Sequence, residues 1–208
     1  MAPSVVALAA ALATAAAQSL QPLKWLPLNI TAVRPEGWLL RELRIQSDGL
    51  QGHMPLFYAD INASTWIGGN SKRSGDWVEE FPYVIAGTTP MAILLRDPVQ
   101  LAIVQKWVDY IVSHQGADGS MGPTQTGETG GMYFWPRWPV IAAFYQWYEY
   151  TGDYKTIDAS LKWLHLADTQ LGLPAYRITS DWTGVRLQVR AISVVKHIIK
   201  KGHACRIA

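Results

Sequence analysis

The chain has 208 residues, 49% of them hydrophobic and 16% charged, which is enough for one domain with a core of its own. Its one cysteine, Cys205, excludes an intrachain disulfide and a cysteine-built zinc cluster, so stability must come from packing. The formal net charge of +2 hides an asymmetry: Arg186, Arg190, Lys196, Lys200, Lys201 and Arg206 all follow Thr183, and taking these six away leaves −4.

Ten Trp and nine Tyr are a surplus. Flat rings stack on the apolar faces of sugars, and the same rings also fill cores. Both uses are expected here.

Residues 1–17, MAPSVVALAAALATAAA, form an apolar run that ends in small residues. The run is too short to span a bilayer and fits a cleaved secretory signal peptide, although no Lys or Arg precedes it. No other stretch is long and apolar enough to span a membrane. The mature protein is therefore expected to be secreted and extracellular, with neither a membrane nor a nucleic acid as partner. Two sequons follow, Asn29-Ile-Thr31 and Asn62-Ala-Ser64, and behind a leader they become candidate glycosylation sites.

Residues 18–33 hold Pro22 and Pro27 and read as an extended lead-in. Trp38, Leu39, Leu43 and Leu50 lie near helical spacing among Arg41, Glu42, Arg44 and Gln46, which predicts an amphipathic helix over 37–48 that stops at Gly49. Residues 52–75, with their Gly, Asn, Ser and Pro, predict a long loop. A helix from about Glu79 to Leu95 is apolar on every side and should be buried, with Pro82 in its first turn and a bend or close packing at Gly87 and Pro90.

Asp97-Pro98 then starts a surface helix that runs to about Gln115. Leu101, Val104, Val108 and Ile111 form its apolar stripe, and Gln105, Lys106, Asp109 and Ser113 lie opposite. The order repeats: a strongly apolar helix over 138–150, then an amphipathic helix opened by Asp153 with Ile157, Leu161, Leu164 and Ala167. An offset of 56 lays Asp97 on Asp153, Leu101 on Ile157 and Lys106-Trp107 on Lys162-Trp163. Buried helix, short turn, surface helix, loop, repeated, is the logic of an all-α toroid built of helical hairpins.

After Thr183 there is no Asp, Glu or Trp. A break this sharp predicts an atypical basic tail, residues 189–208, of foreign origin such as a missed splice site or a frameshift. Transcript sequencing across the break tests this, and an uninterrupted reading frame ending there would sink it.

The ordered motifs Arg34-Pro-Glu-Gly-Trp-Leu-Leu-Arg-Glu-Leu, Gln46-Ser-Asp-Gly-Leu-Gln-Gly-His53 and Trp66-Ile-Gly-Gly69 resemble the N-terminal signature of family 127-type glycoside hydrolases. These are the β-L-arabinofuranosidase-like, six-hairpin glycosidases. Glu79-x-x-Pro82-Tyr83 with Gly87 resembles the start of the family's first barrel helix. Tyr110 to Gln115 with Asp118-Gly-Ser-Met-Gly-Pro123 resembles its turn, Arg137 to Asp153 its next inner helix, and Val185 to Gln188 a further segment. The resemblance covers about residues 30–188. It implies the N-terminal part of an (α/α)6 glycosidase domain over 18–188, acting on arabinose-containing plant glycans.

The family's acid/base Glu and its Cys nucleophile in a zinc–thiolate cluster have no counterpart here, so the resemblance implies an incomplete and inactive fragment with no catalytic residue, metal or cofactor of its own. Two alternatives need no such residues: a non-catalytic carbohydrate-binding protein, and a helical scaffold.

Candidate site residues lie in the loops that lead into the apolar helices. Trp66, Trp77, Tyr133, Trp135 and Arg137 could form a sugar-stacking wall with a charged hydrogen-bonding group, or they could be loop packing. Asp76 and Glu79 could hydrogen-bond a substrate, or could stabilise a helix N-terminus together with Glu80. Glu79 and Glu80 are adjacent, so on a helix they point about 100° apart and do not make a facing acid/base pair. Asp118 reads as a turn residue, and His53 and His114 as ordinary polar residues.

Overall fold

The computed structural model describes residues 28–71, 79–123 and 135–170. Within them the protein is all-helical, as the sequence predicts, and no strand occurs among the described residues. No described helix is long and apolar enough to cross a membrane. The predicted leader over 1–17 and the basic tail over 189–208 lie outside the described residues.

A 3₁₀ turn, Ile30–Ala32, precedes helix α1, Gly37–Asp48. Helix α1 has the predicted bounds but not the predicted buried face. Leu40, Leu43 and Ser47 turn inward, whereas Trp38, Leu39 and Leu50 are exposed. The physical reason is that apolar residues at 38, 39, 40, 43 and 45 surround most of the helix. Spacing alone then cannot choose the side that meets a neighbour, and packing on the following helices makes the choice.

The long loop predicted over 52–75 is also corrected. Helices α2, Leu50–Phe57, and α3, Ala59–Asn62, occupy its first part, and a 3₁₀ turn, Thr65–Ile67, follows. These short elements are held by close approach and side-chain bonds rather than by a periodic apolar face. A Cβ at Gly52 would stand 1.8 Å from the Ser47 carbonyl oxygen, so only glycine allows α2 to lie that close to α1. Asp60 Oδ1 accepts from Ser71 Oγ at 2.7 Å, and Ser64 Oγ accepts from the Trp66 amide at 3.3 Å.

Two helical hairpins carry the core. The first is α4, Glu80–Leu95, and α5, Pro98–Ser113; the second is α6, Arg137–Thr151, and α7, Lys155–Gln170. The 56-residue offset extends through both. Arg96 closes α4 in the left-handed region (φ 55°), and Gly152, 56 residues on, closes α6 in the same way (φ 74°). Asp97 Oδ1 caps α5 by accepting from the Val99 and Gln100 amides at 2.9 and 3.2 Å, and Asp153 Oδ1 accepts from the Lys155 amide at 3.1 Å.

Buried positions also coincide. Val84, Ile85, Thr88 and Met91 of α4 correspond to Val140, Ile141, Phe144 and Trp147 of α6. Gln100, Val104, Trp107, Val108 and Ile111 of α5 correspond to Thr156, Ser160, Trp163, Leu164 and Ala167 of α7.

Helices α4 and α6 make the most extensive contact among the described elements. They run in the same direction. Trp135 Nε1, just before α6, donates to Tyr83 Oη near the start of α4 at 2.9 Å, while Ile93 and Arg96 at the end of α4 share a cleft with Tyr150 at the end of α6. The outer helices α5 and α7 return along them and touch each other. On its other side α4 packs against α1, α2 and α3.

Burial of α4 is nearly complete, except for an exposed stripe at Tyr83 and Gly87. Gly87 is not forced by close packing, since an added Cβ would meet only the Gln51 side chain at 3.5 Å, an ordinary contact. Pro90 sits inside the helix, where it has no N–H to donate.

Candidate functional site

The sequence points to the ends where α4 and α6 begin. Glu79 is the N-cap of α4, half-buried, and its carboxylate makes no capping hydrogen bond. Glu80 opens the first turn, where a carboxylate is favoured by the helix dipole. Its Oε2 is buried and has no hydrogen-bond partner among the described residues. Three residues on, Tyr83 is exposed, and its hydroxyl accepts from Trp135. Glu79, Glu80, Tyr83 and Trp135 thus form the described polar and aromatic rim at this end.

Trp66 and Arg137 belong to the core rather than to a stacking wall. Trp66 is 1% exposed and lies stacked on Phe81 at 6.4 Å, with an interplanar angle of 17°. A Cβ at Gly122 would come within 2.2 Å of the Trp66 ring, so the Gly116–Pro123 turn closes over it. Arg137 is 2% exposed, and its guanidinium lies 5.3 Å from the centre of the Trp66 ring, within cation–π range.

Arg137 Nε donates to the Met121 carbonyl at 2.9 Å, and Nη2 donates to the Pro123 carbonyl. A buried cation satisfied by carbonyls and a ring fastens the turn to α6. In this arrangement neither residue presents a surface to a sugar. Asp76, Trp77 and Tyr133 lie outside the described residues.

Asp118 is the turn residue that the sequence suggests. Its Oδ1 accepts from the Ser120 amide at 2.9 Å, and hydrogen bonds from the Ser120 side chain and amide hold its carboxyl below the usual carboxylate range. His53 Nδ1 lies 2.8 Å from the Gly49 carbonyl. His114 Nδ1 lies 2.9 Å from the Tyr110 carbonyl, with its ring stacked on that tyrosine. Among the described residues no three His, Cys, Asp or Glu gather to hold a metal.

At the opposite end, Glu149 of α6 accepts from the Ile30 amide at 3.1 Å and so ties the lead-in to the core. Tyr145, one turn earlier, hydrogen-bonds the same carboxylate. Burial first, and then the Glu149 charge, push the Tyr145 hydroxyl up to about 12.

The two sequons occupy different settings. Asn29 Oδ1 accepts from both the Thr31 amide and the Thr31 hydroxyl, at 2.8 and 2.6 Å. Thr31 borders a cleft of about 300 Å³ that also includes Ile93, Arg96 and Tyr150. Asn62, exposed at the end of α3, lines a groove of about 950 Å³ along the outer face of α5.

Tyr83 was missing from the sequence-based candidates, although the Pro82-Tyr83 dipeptide marked its position. Its exposure on an otherwise apolar helix is what distinguishes it. Compared with protein-family models, with curated proteins and with solved structures, the chain has no match in any of the three.

Proposed function

We propose that this chain is the N-terminal portion of a secreted family 127-type, β-L-arabinofuranosidase-like glycoside hydrolase, built as part of an (α/α)6 toroid. The observation that carries the reading is the 56-residue hairpin repeat. Its inner helices run parallel, and its left-handed closures, Asp caps and buried registers coincide. Repetition of this unit around an axis buries every inner helix between two others, which is how a toroid of hairpins is made. The ordered motifs from Arg34 to Gln188 support the family assignment.

Substrate would meet the end where α4 and α6 begin. The Tyr83–Trp135 pair offers rings for the apolar face of a sugar, and Glu79 offers an acceptor for its hydroxyls. Hydrolysis is not expected from this chain. Adjacent Glu79 and Glu80 do not form facing carboxyls, and the family's zinc–thiolate cluster does not fit a chain with a single cysteine. Binding without hydrolysis is therefore the second reading, and the exposed Tyr83, paired with the half-buried Trp135, favours it.

Calorimetry with L-arabinofuranose-containing oligosaccharides tests the site. Binding should be weakened severalfold by Tyr83→Ala and by Trp135→Ala, with no turnover. Turnover of an arabinofuranoside by the purified 208-residue protein would overturn the inactive reading, and no binding to any arabinose-containing glycan would overturn the substrate class.

A further inference from the structure

The groove beside Asn62 has no part in the proposed substrate site. It runs between the Thr65–Ile67 turn and the outer face of α5, and Lys155 at the start of α7 closes one edge. Ile67, Tyr110 and Val112, each half-buried, give it an apolar side, while Lys106, Asp109 and Lys155 give it a charged rim. An apolar side and hydrogen-bonding groups around the edge match a pyranose, which is apolar across its C–H face and polar around its hydroxyls.

Asn62 stands on the lip of this groove, and its amide is nearly free. Its one described bond runs from Nδ2 to the Leu56 carbonyl at 3.5 Å, the outer limit of a hydrogen bond. We infer that the groove is the seat of an N-linked glycan carried on Asn62, whose first N-acetylhexosamines lie along the side formed by Ile67, Tyr110 and Val112. The inference rests on the reading of this chain as a secreted protein.

The attachment balances as an ordinary transfer from a polyprenyl-diphosphate-linked oligosaccharide. A bond forms between Asn62 Nδ2 and the anomeric carbon of the first sugar. The bond from that carbon to the diphosphate breaks, the diphosphate leaves with the electron pair, and the amide nitrogen gives up a proton. Timing follows from burial. Ser64, the hydroxyl residue of the sequon, is 1% exposed and bonded to the Trp66 amide, so a transferase must read the sequon before this segment folds. The glycan is then in place as α5 packs, and it covers the outer face of α5 rather than blocking the end that carries Tyr83 and Trp135.

The test uses the full chain expressed in a eukaryotic secretory host. Glycopeptide mass spectrometry should find Asn62 occupied. Acylation with an amine-reactive ester should then be severalfold slower at Lys106 and Lys155 in the glycosylated protein than in Asn62→Gln, while exposed Lys162, outside the groove, reacts equally in both.

A secreted protein with Asn62 unmodified, whatever the state of Asn29, would overturn the inference and leave the secreted reading standing. Occupancy with equal rates at Lys106 and Lys155 would overturn the seat. A protein retained in the cell with its first 17 residues attached and neither sequon modified would overturn both readings. None of these outcomes depends on hydrolysis or on binding at Tyr83 and Trp135.

Discussion

The hairpin pair α4–α7 and the flank α1–α2 are both helical, both rich in large apolar residues, and bury them to opposite extents. Trp107 and Trp163, 56 residues apart, are 4% and 2% exposed, whereas Trp38 of α1 is 66% exposed, in company with Ile45, Leu56 and Phe57. The difference lies in what surrounds each helix. An inner helix such as α4 has neighbours on most sides, so nearly any apolar side chain on it is covered. Among the described residues helix α1 has its main contacts with α2 and α4, so its apolar residues are covered or left out according to direction alone.

The sharpest way to break this contrast is to truncate one tryptophan from each region. Trp107→Ala or Trp163→Ala leaves a large buried void and should cost about 3–5 kcal/mol. Trp38→Ala removes an exposed ring and should stay within about 0.5 kcal/mol. Urea unfolding of the three variants checks both values. A loss at Trp38 comparable to that at Trp107 would mean that α1 is covered by something beyond the described residues.

The same contrast explains what could be read in the sequence. In the hairpins, Val104, Val108 and Ile111 define one stripe, Asp97-Pro98 marks one start, and Asp153 repeats the cap, so local chemistry and packing agree and the helix bounds follow to within a residue or two. In the flank, Gly52 and Pro55 look like loop residues because they are poor helix formers. The reason for Gly52 is a contact with Ser47, which no period in the sequence displays. The candidate site was legible in part. Position along the chain brought attention to Trp66 and Arg137, but a tryptophan in a glycine-rich loop reads the same whether it faces solvent or Phe81. Arg137 is buried because its partners are the carbonyls of Met121 and Pro123, and backbone acceptors leave no trace in residue identity.

The hairpins are not identical to one another, and pH should separate them. Tyr145 of α6 corresponds to Thr89 of α4, whose hydroxyl bonds the Ile85 carbonyl and does not titrate in the accessible range. Burial and Glu149 raise the Tyr145 hydroxyl from 10.0 to about 12, so the folded state holds this proton more tightly than the unfolded state does. The stability from this difference is therefore fully present below pH 10 and is lost as pH rises from about 10 to about 12. Thermal melts of wild type and Tyr145→Phe across that range check the sign. The phenylalanine variant should lose less stability than wild type, and parallel curves would show that Tyr145 is not the group responsible.

The smallest effect tests the repeat at a single backbone position. Arg96 and Gly152 both close an inner helix with positive φ, a conformation that costs an L-residue about 1–2 kcal/mol and costs glycine almost nothing. Nothing lies within 4 Å of a Cβ built at Gly152, so Gly152→Ala tests conformation without a clash and should destabilise by about 1 kcal/mol. At position 96 the arginine brings a second term, because a cation at a helix C-terminus is favourable by about 0.3–1 kcal/mol. Arg96→Gly compared with wild type therefore mixes strain relief with charge loss and should come out near zero. Arg96→Gly compared with Arg96→Ala removes the charge from both sides and should again favour glycine by about 1 kcal/mol. Equal glycine-over-alanine preferences at 96 and 152 would mean that the two closures are one device used twice. A preference at 152 alone would mean that the α4–α5 turn relaxes out of the left-handed region once the arginine is gone, and that the guanidinium, rather than the repeat, holds it there.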